Sequence, residues 1–340
     1  MSWKLQSYLW KFLPADRAVN LSAYVFGLLL ALALVVLVVG YFVKRRWLVR
    51  AAVTMAAVVL ICWGLLLVMR PAWLRIATQS VVPMPTATAP HWESRAPGLE
   101  TAEMELRVGD VVVDHMVLVR LDPHRYHFSV HWDPTGTRLA EDWQRELGAA
   151  VVVNGSYFGD QFVPLTPLRT SGHPAGPTEY QSSHGAFVAD GDHVEILDLK
   201  DRDVFKSIGM FPEAMVSYPL LMDDKGVNRA VESKTWLAAR NFVALDESKR
   251  VILGTTQTGY FTIYRLGEFL KAAPLGIRTA LNFDGGPLVS QVVSAGSFSR
   301  AFHGKAEISN GSDVLRVFWH EQLAKRWTLP IVLVAVPVPQ

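Results

Sequence analysis

The chain opens with two uncharged apolar runs, Ala18 to Val43 around LLLALALVVLVV and Ala51 to Met69. About 20 apolar residues cross a bilayer as a helix. The pattern therefore predicts transmembrane helices over 18–43 and 51–69, with a pair of buried core helices as the alternative. The basic loop 44–50 carries Lys44, Arg45, Arg46 and Arg50. By the positive-inside rule this charge density places the loop in the cytoplasm. The expected setting is a bacterial cytoplasmic membrane with the C-terminal domain extracytoplasmic. Residues 1–17 interleave Trp, Tyr and Lys with Leu and read as an interfacial N-terminal segment.

Beyond Arg70 the periodicity stops. Residues 70–100 contain VVPMPTATAPHWESRAPG and read as a linker. Residues 101–340 read as one domain dominated by short apolar runs. GDVVVDHMVLVRLD and RYHFSVHW predict strands paired about a turn at Asp122 to His124. GAFVADGDHVEIL and RNFVALDESKRVILGTT predict two hairpins. RLAEDWQRELG spaces Leu139, Trp143 and Leu147 four apart, with Gly148 where a helix cap belongs. RLGEFLKAA predicts a second helix. Each helix runs into an apolar strand, AAVVVNG and RTALNFDGG, and LPIVLVAVPVP predicts a final strand too short to span a membrane. The expected fold class is α+β: a strand-rich mixed-sheet domain with a few helices, preceded by a two-helix transmembrane hairpin.

Composition narrows the function. Half of the 340 residues are hydrophobic and the formal net charge is +2, too apolar for a disordered chain. No Lys/Arg cluster follows Arg75, so nucleic acid is not an expected partner. The one cysteine, Cys62, lies in the second apolar run, leaving the domain without disulfides, a cysteine metal site or a cysteine nucleophile. P-loop, dinucleotide-binding and zinc-helix patterns are absent, and no cofactor is expected. A G-x-S-x-G elbow is absent too, which sets serine hydrolases aside. Asp223 and Asp224 look like a turn that also fits Ca²⁺ ligation, so metal binding stays open.

Several short stretches can carry chemistry. In TALNFDGGPLVSQ, strand alternation puts Ala280, Asn282 and Asp284 on one face, with Leu281 and Phe283 on the other. Gly285 and Gly286 clear side chains from beside Asp284. The same sequence also suits an Asp-Gly hairpin turn. In VVVNGSYFGD, Asn154 and Gly155 end an apolar strand and Tyr157 follows, an aromatic able to stack on a sugar ring; a hairpin turn explains it equally. His184 precedes a strand and suits proton transfer, or is simply a surface residue. Arg240 stands in phase with Ala238 and Phe242, where it needs an anionic partner or an exposed edge.

Taken in order, VVVNGSYFG, SHGAF, SYPLLMDDKG, AARNFVALD and ALNFDGGPLVSQVV resemble the phosphodiester glycosidase domain family, over about Glu103 to Pro337. The box after Asp284 departs from the family's usual Ser-Ser ending: Pro287, Leu288, Val289 and Ser290 stand there. The resemblance implies a membrane-anchored hydrolase that cleaves a sugar from a phosphodiester at C1. Envelope glycopolymers or exopolysaccharides are the expected substrates. The alternative is a non-catalytic polysaccharide-binding or assembly protein. The resemblance further implies catalytic roles for Asp284, Arg240 and His184. Substrate contacts are implied for Asn154, Gly155, Tyr157, Asn282, Gly285 and Gly286. A second catalytic carboxylate is not identifiable from the motifs.

Overall fold

The computed structural model describes residues 16–68, 76–77, 81–178, 184–232, 236–304, 306–309, 314–317 and 327–339. Helices α1 (Asp16–Phe42) and α2 (Arg46–Val68) pack on each other. Gly40 permits their close approach, since a Cβ there would lie 2.8 Å from Leu48 Cβ. No helix among the described residues is long and apolar enough to cross a membrane. This overturns the expected transmembrane hairpin, and with it a membrane partner held through two spans. Of the interfacial segment, residues 1–15 lie outside the described residues.

The domain is built almost entirely of strands. First come β1 (Glu93–Ala96), β2 (Leu99–Val108), β3 (Val111–Leu121) and β4 (Tyr126–Trp132), then α3 (Ala140–Leu147). Next are β5 (Val151–Asn154), β6 (Leu168–Thr170), β7 (His173–Ala175), β8 (Gly185–Asp190), β9 (His193–Asp198) and the short α4 (Val204–Gly209). They are followed by β10 (Glu213–Ser217), β11 (Leu220–Met222), β12 (Leu237–Ala238), β13 (Asn241–Asp246), β14 (Val251–Thr256) and α5 (Ile263–Ala272). The last are β15 (Ile277–Asn282), β16 (Ser290–Ala295), β17 (Phe298–His303), β18 (Ala306–Ser309), β19 (Val314–Val317) and β20 (Ile331–Pro337).

Three larger sheets enclose one core. Their strand orders are β1-β2-β3-β14-β13-β15-β11, β17-β16-β5-β20-β4 and β7-β6-β10-β8-β9; a small β12-β18-β19 sheet stands beside them. Alternation explains how the layers meet. Along β13, Val243 and Leu245 join the core with Phe128, Val153, Phe187, Leu281 and Leu333. Phe242 and Ala244 face the other way, against Leu266, Phe269 and Leu270 of α5. Helix α3 covers the outer side of the five-stranded sheet through Trp143, which packs on Val152, Val292 and Val332. A strand buried on both faces is mostly apolar, which is why VVV and FVAL read as apolar runs, with buried Asn154, Asn241 and Asp246 at the strand ends.

The strand-rich domain with few helices is as expected, and so are both hairpins, β8–β9 and β13–β14. Gly148 caps α3 with φ 61°, the left-handed cap anticipated at that position. One expected pairing fails: β3 pairs with β2 and β14, whereas β4 pairs with β20 in a different sheet. The chain uses the Asp122 turn to change sheets. Residues 81–96, expected as linker, lie along the domain. The Tyr260 hydroxyl donates to the Pro83 carbonyl at 2.7 Å, Arg265 holds the Val82 and Pro83 carbonyls, and β1 pairs with β2.

Candidate active site

The Asn-Gly and Asp-Gly-Gly stretches are not hairpin turns. Strand β15 pairs with β13 and β11, while β16 pairs with β17 and β5. The segment from Phe283 to Val289 therefore carries the chain from one large sheet to the other. Four main-chain bonds string it across the gap: Asn282 N–H to Pro219, Phe283 N–H to Asn241, Asp284 N–H to Gly155 and Gly286 N–H to Ala239. Gly286 adopts φ 71°, and a Cβ on it would come within 3.3 Å of Glu307 Oε2. A Cβ on Gly285 would lie 2.9 Å from the Ala239 carbonyl and 3.2 Å from Arg240 Nη1. Both glycines are there because other groups crowd Asp284. Gly155 serves packing instead, with Ile331 and Met215 each 2.7 Å from where its Cβ would be.

This crossover floors a cavity of about 640 Å³, whose lining includes Asp284, Glu307, Arg240, Tyr157 and Tyr218. That volume is in the range of small-molecule sites. Burial pushes the Asp284 carboxyl up to about 7; the neighbouring Glu307 adds to the rise, while the Gly285 N–H and Arg240 oppose it. Its Oδ1 accepts that Gly285 N–H at 2.9 Å. Glu307, buried on β18, brings a second carboxylate to the same place. Arg240 lies at the junction of β12 and β13 rather than within a strand. Its Nε donates to the Phe261 carbonyl at 3.1 Å and its Nη2 to the Trp236 carbonyl. These two bonds fix the guanidinium with Nη1 toward Gly285. Burial lowers its pKa to about 10, opposed by the neighbouring Tyr157, Glu307 and Asp284, so it stays cationic at neutral pH.

Two tyrosines form a wall. Tyr157 and Tyr218 stack with centroids 4.2 Å apart, and the Tyr157 hydroxyl donates to the Tyr218 carbonyl at 3.1 Å. Asn282 Nδ2 donates to that same hydroxyl at 2.7 Å and to the Tyr218 carbonyl at 3.0 Å. Burial holds the Tyr157 hydroxyl well above its usual pKa. One face of Tyr157 is thus covered by Tyr218. Asn282 acts as the brace of the pair.

Asn154 is also inside the protein's own network. Its Nδ2 donates to the Asp284 carbonyl at 2.8 Å, and its Oδ1 accepts from Asn241 Nδ2 at 3.0 Å and from the Ser290 N–H at 2.9 Å. Asn241 is in turn the acceptor for the Thr255 hydroxyl. His184 does not line the cavity. It stands edge-on behind Tyr218, 5.7 Å between ring centroids, and burial lowers its pKa to about 4, which leaves a neutral imidazole at physiological pH. Asp223 Oδ1 accepts the Lys225 and Val227 N–H groups and its Oδ2 pairs with Arg229, so the Asp223–Asp224 turn is braced by its own loop. No cluster of three or more His, Cys, Asp or Glu suited to a metal occurs among the described residues.

The structure thus gathers Asp284, Arg240, Tyr157 and Gly285 around one cavity, while Asn282, Gly286, Asn154 and Gly155 do not line it. Sequence reasoning missed Glu307, Tyr218 and Asn241. Tyr218 lies in the SYPLLMDDKG box and Asn241 follows Arg240, so both were adjacent to signals. Glu307 carries no local signature, because a lone Glu in a short strand is ordinary.

Residues 147–314 match the family model described as phosphodiester glycosidase, which bears out the family resemblance seen in the motifs. No curated protein matches the chain. Among solved structures, the fold is similar to the zebrafish N-acetylglucosamine-1-phosphodiester alpha-N-acetylglucosaminidase catalytic domain auto-inhibited by its pro-peptide. That likeness has TM-score 0.50 and 16% identity, covering 79% of this chain and 94% of that one. A hypothetical protein from Synechocystis (TM-score 0.48, 14% identity, 73% of this chain and 64% of that one) is also similar. So is an exported protein from Burkholderia pseudomallei, with TM-score 0.42, 10% identity, 66% of this chain and 74% of that one.

Proposed function

We propose that the domain is a hydrolase that cleaves the glycosidic bond of sugar-1-phosphodiesters. The observation that carries this reading is the placement of one fixed cation, Arg240, and two carboxylates, Asp284 and Glu307, at one cavity. The family match over 147–314 supports it. Phosphodiester-linked glycopolymers of the cell envelope, or exopolysaccharides, are the substrates in keeping with this reading.

In the reaction, water adds to C1 and the bond from C1 to the phosphate oxygen breaks. The products are the free sugar and a phosphomonoester, which together retain both protons of the water. The phosphate leaves as a weakly basic anion, so charge stabilisation matters more than protonation, and Arg240 supplies it. The sugar passes through an oxocarbenium-like state that a carboxylate stabilises. Asp284 takes that role as nucleophile or base, and Glu307, by its negative charge, tunes the proton affinity of Asp284. Tyr157 and Tyr218 offer an aromatic wall to the ring. His184 acts at most through Tyr218.

The departure after the Asp-Gly-Gly box would favour the binding-protein alternative if it altered the cavity. Val289 is fully buried, and Leu288 packs with the Trp143 cluster on the far side of the crossover. Neither lines the cavity, so nothing in the departure favours that alternative.

The test is release of free sugar from a panel of sugar-1-phosphate methyl esters by the full chain. Turnover that Asp284→Asn and Arg240→Ala each reduce at least 100-fold is expected. Absence of turnover across the panel, or full activity in both variants, overturns the reading.

A further inference from the structure

The same cavity is chemically two-sided. Asp284, Glu307 and Arg240 supply its charged lining, and Val231, Trp236, Ile263 and Tyr264 belong to the same lining. Val231 is 84% exposed and Trp236 50% exposed, unusual for such residues beside an open cavity. Trp236 also has φ 68°, a left-handed conformation that a bulky side chain adopts only where its surroundings enforce it. The Trp236 carbonyl accepts from Arg240 Nη2. One residue thereby holds Arg240 through its backbone and, half exposed, lines the same cavity. The opposite support comes from α5, whose first residues are Ile263 and Tyr264. The other polar group at the rim, Arg229, is already paired with Asp198 and Asp223 at 2.8 and 2.7 Å.

We infer that Trp236 and Tyr264 form a subsite for the group esterified to the far side of the phosphate, and that this group is a ring with an apolar face. The inference rests on the hydrolase reading, because it assigns the charged groups to the sugar and phosphate. With Asp284 at C1 and Arg240 on the phosphate, the part of the lining left for the second ester is the part that Trp236 and Tyr264 supply. Rings with an apolar face stack on indole, whereas a methyl group covers little of it.

The test compares two esters of one sugar 1-phosphate, benzyl and methyl, whose leaving phosphates differ little in acidity. Turnover is measured with the wild-type chain, and affinity by calorimetry with Asp284→Asn. The expected preference for benzyl is about tenfold in kcat/KM, carried by KM, and about tenfold in affinity. In Trp236→Ala the benzyl/methyl ratio falls toward one, and in Tyr264→Ala it falls in part. Because each ratio is taken within a single variant, a general loss of activity cancels. Turnover of both esters with equal kcat/KM overturns the subsite and leaves the hydrolase reading standing. Selective benzyl binding without turnover by the wild type overturns the hydrolase reading and leaves the subsite. Equal binding without turnover overturns both.

Discussion

The side-chain amide of Asn154 donates to the main-chain carbonyl of Asp284 at 2.8 Å, joining residues 130 positions apart. This bond ties the end of β5 in one sheet to the crossover that leaves β15 in another. Asp284 is thus positioned by a residue whose own polar atoms face protein, and Asn154 holds the site together from behind.

Asn154→Ala would leave the Asp284 carbonyl, the Ser290 N–H and one Asn241 donor without their buried partner. A loss of about 2–4 kcal/mol in urea unfolding at pH 7 is expected, with activity falling alongside. Asn154→Asp, nearly the same shape, should lose as much, since it turns the donor toward Asp284 into an acceptor. Wild-type stability in both variants, with affinity alone reduced, would show that Asn154 serves the ligand instead.

Asp284 gives the fold a pH dependence of defined sign. The unfolded carboxyl releases its proton near 3.8, whereas the folded one keeps it up to about 7. The folded state binds more protons in that window, so stability falls as pH rises from about 4 to 7 and levels off above. Asp284→Asn removes the titrating group. The variant should therefore gain on the wild type by on the order of 2–4 kcal/mol between pH 4 and pH 8. Thermal unfolding at the two pH values checks this, and a parallel pair of curves would count against the buried carboxyl. Asp114, buried and also raised to about 7, contributes in the same direction and remains in both proteins.

The activity profile should show an ascending limb near pH 7 as Asp284 ionises. Glu307→Gln removes the negative neighbour that helps raise Asp284, so the limb should move to lower pH. A simple structural role for Glu307 would lower activity without moving the limb. Initial rates from pH 5 to 9 distinguish the two.

Arg240→Lys keeps the charge and loses the geometry. The guanidinium reaches the Phe261 and Trp236 carbonyls at once while presenting Nη1 toward Gly285, which a single ammonium cannot do. A drop in kcat/KM on the order of 100-fold, close to that of Arg240→Ala, is expected. Near-wild-type activity in the lysine variant would mean that charge alone suffices.

Tyr260→Phe deletes the 2.7 Å bond that fastens Pro83 to the domain. A cost of about 1 kcal/mol is expected, because Arg265 still holds the Val82 and Pro83 carbonyls. Faster proteolytic cleavage between residues 81 and 92, with the core unaffected, would report the loosened segment.

Elements governed by local rules were legible in the chain. Gly148 marks the end of α3, the Asp-Gly-Asp turn marks the β8–β9 hairpin, and doubly buried strands appear as apolar runs, because periodicity and turn chemistry act over a few residues. The motif order exposed Asp284, Arg240, Tyr157 and Asn282 through their family resemblance. The tertiary structure decided the rest. Asp-Gly-Gly looks the same locally whether it turns a hairpin or crosses between sheets, and only the pairing of β15 with β13 and of β16 with β5 separates the two. Hydropathy by itself predicts a membrane hairpin, but no helix among the described residues is long and apolar enough to cross a membrane. His184 fell behind Tyr218 and Asn154 into the core network because burial is a property of the packed layers. Glu307 reached Asp284 for the same reason. Its charge reaches Asp284 only once β18 has packed beside the crossover.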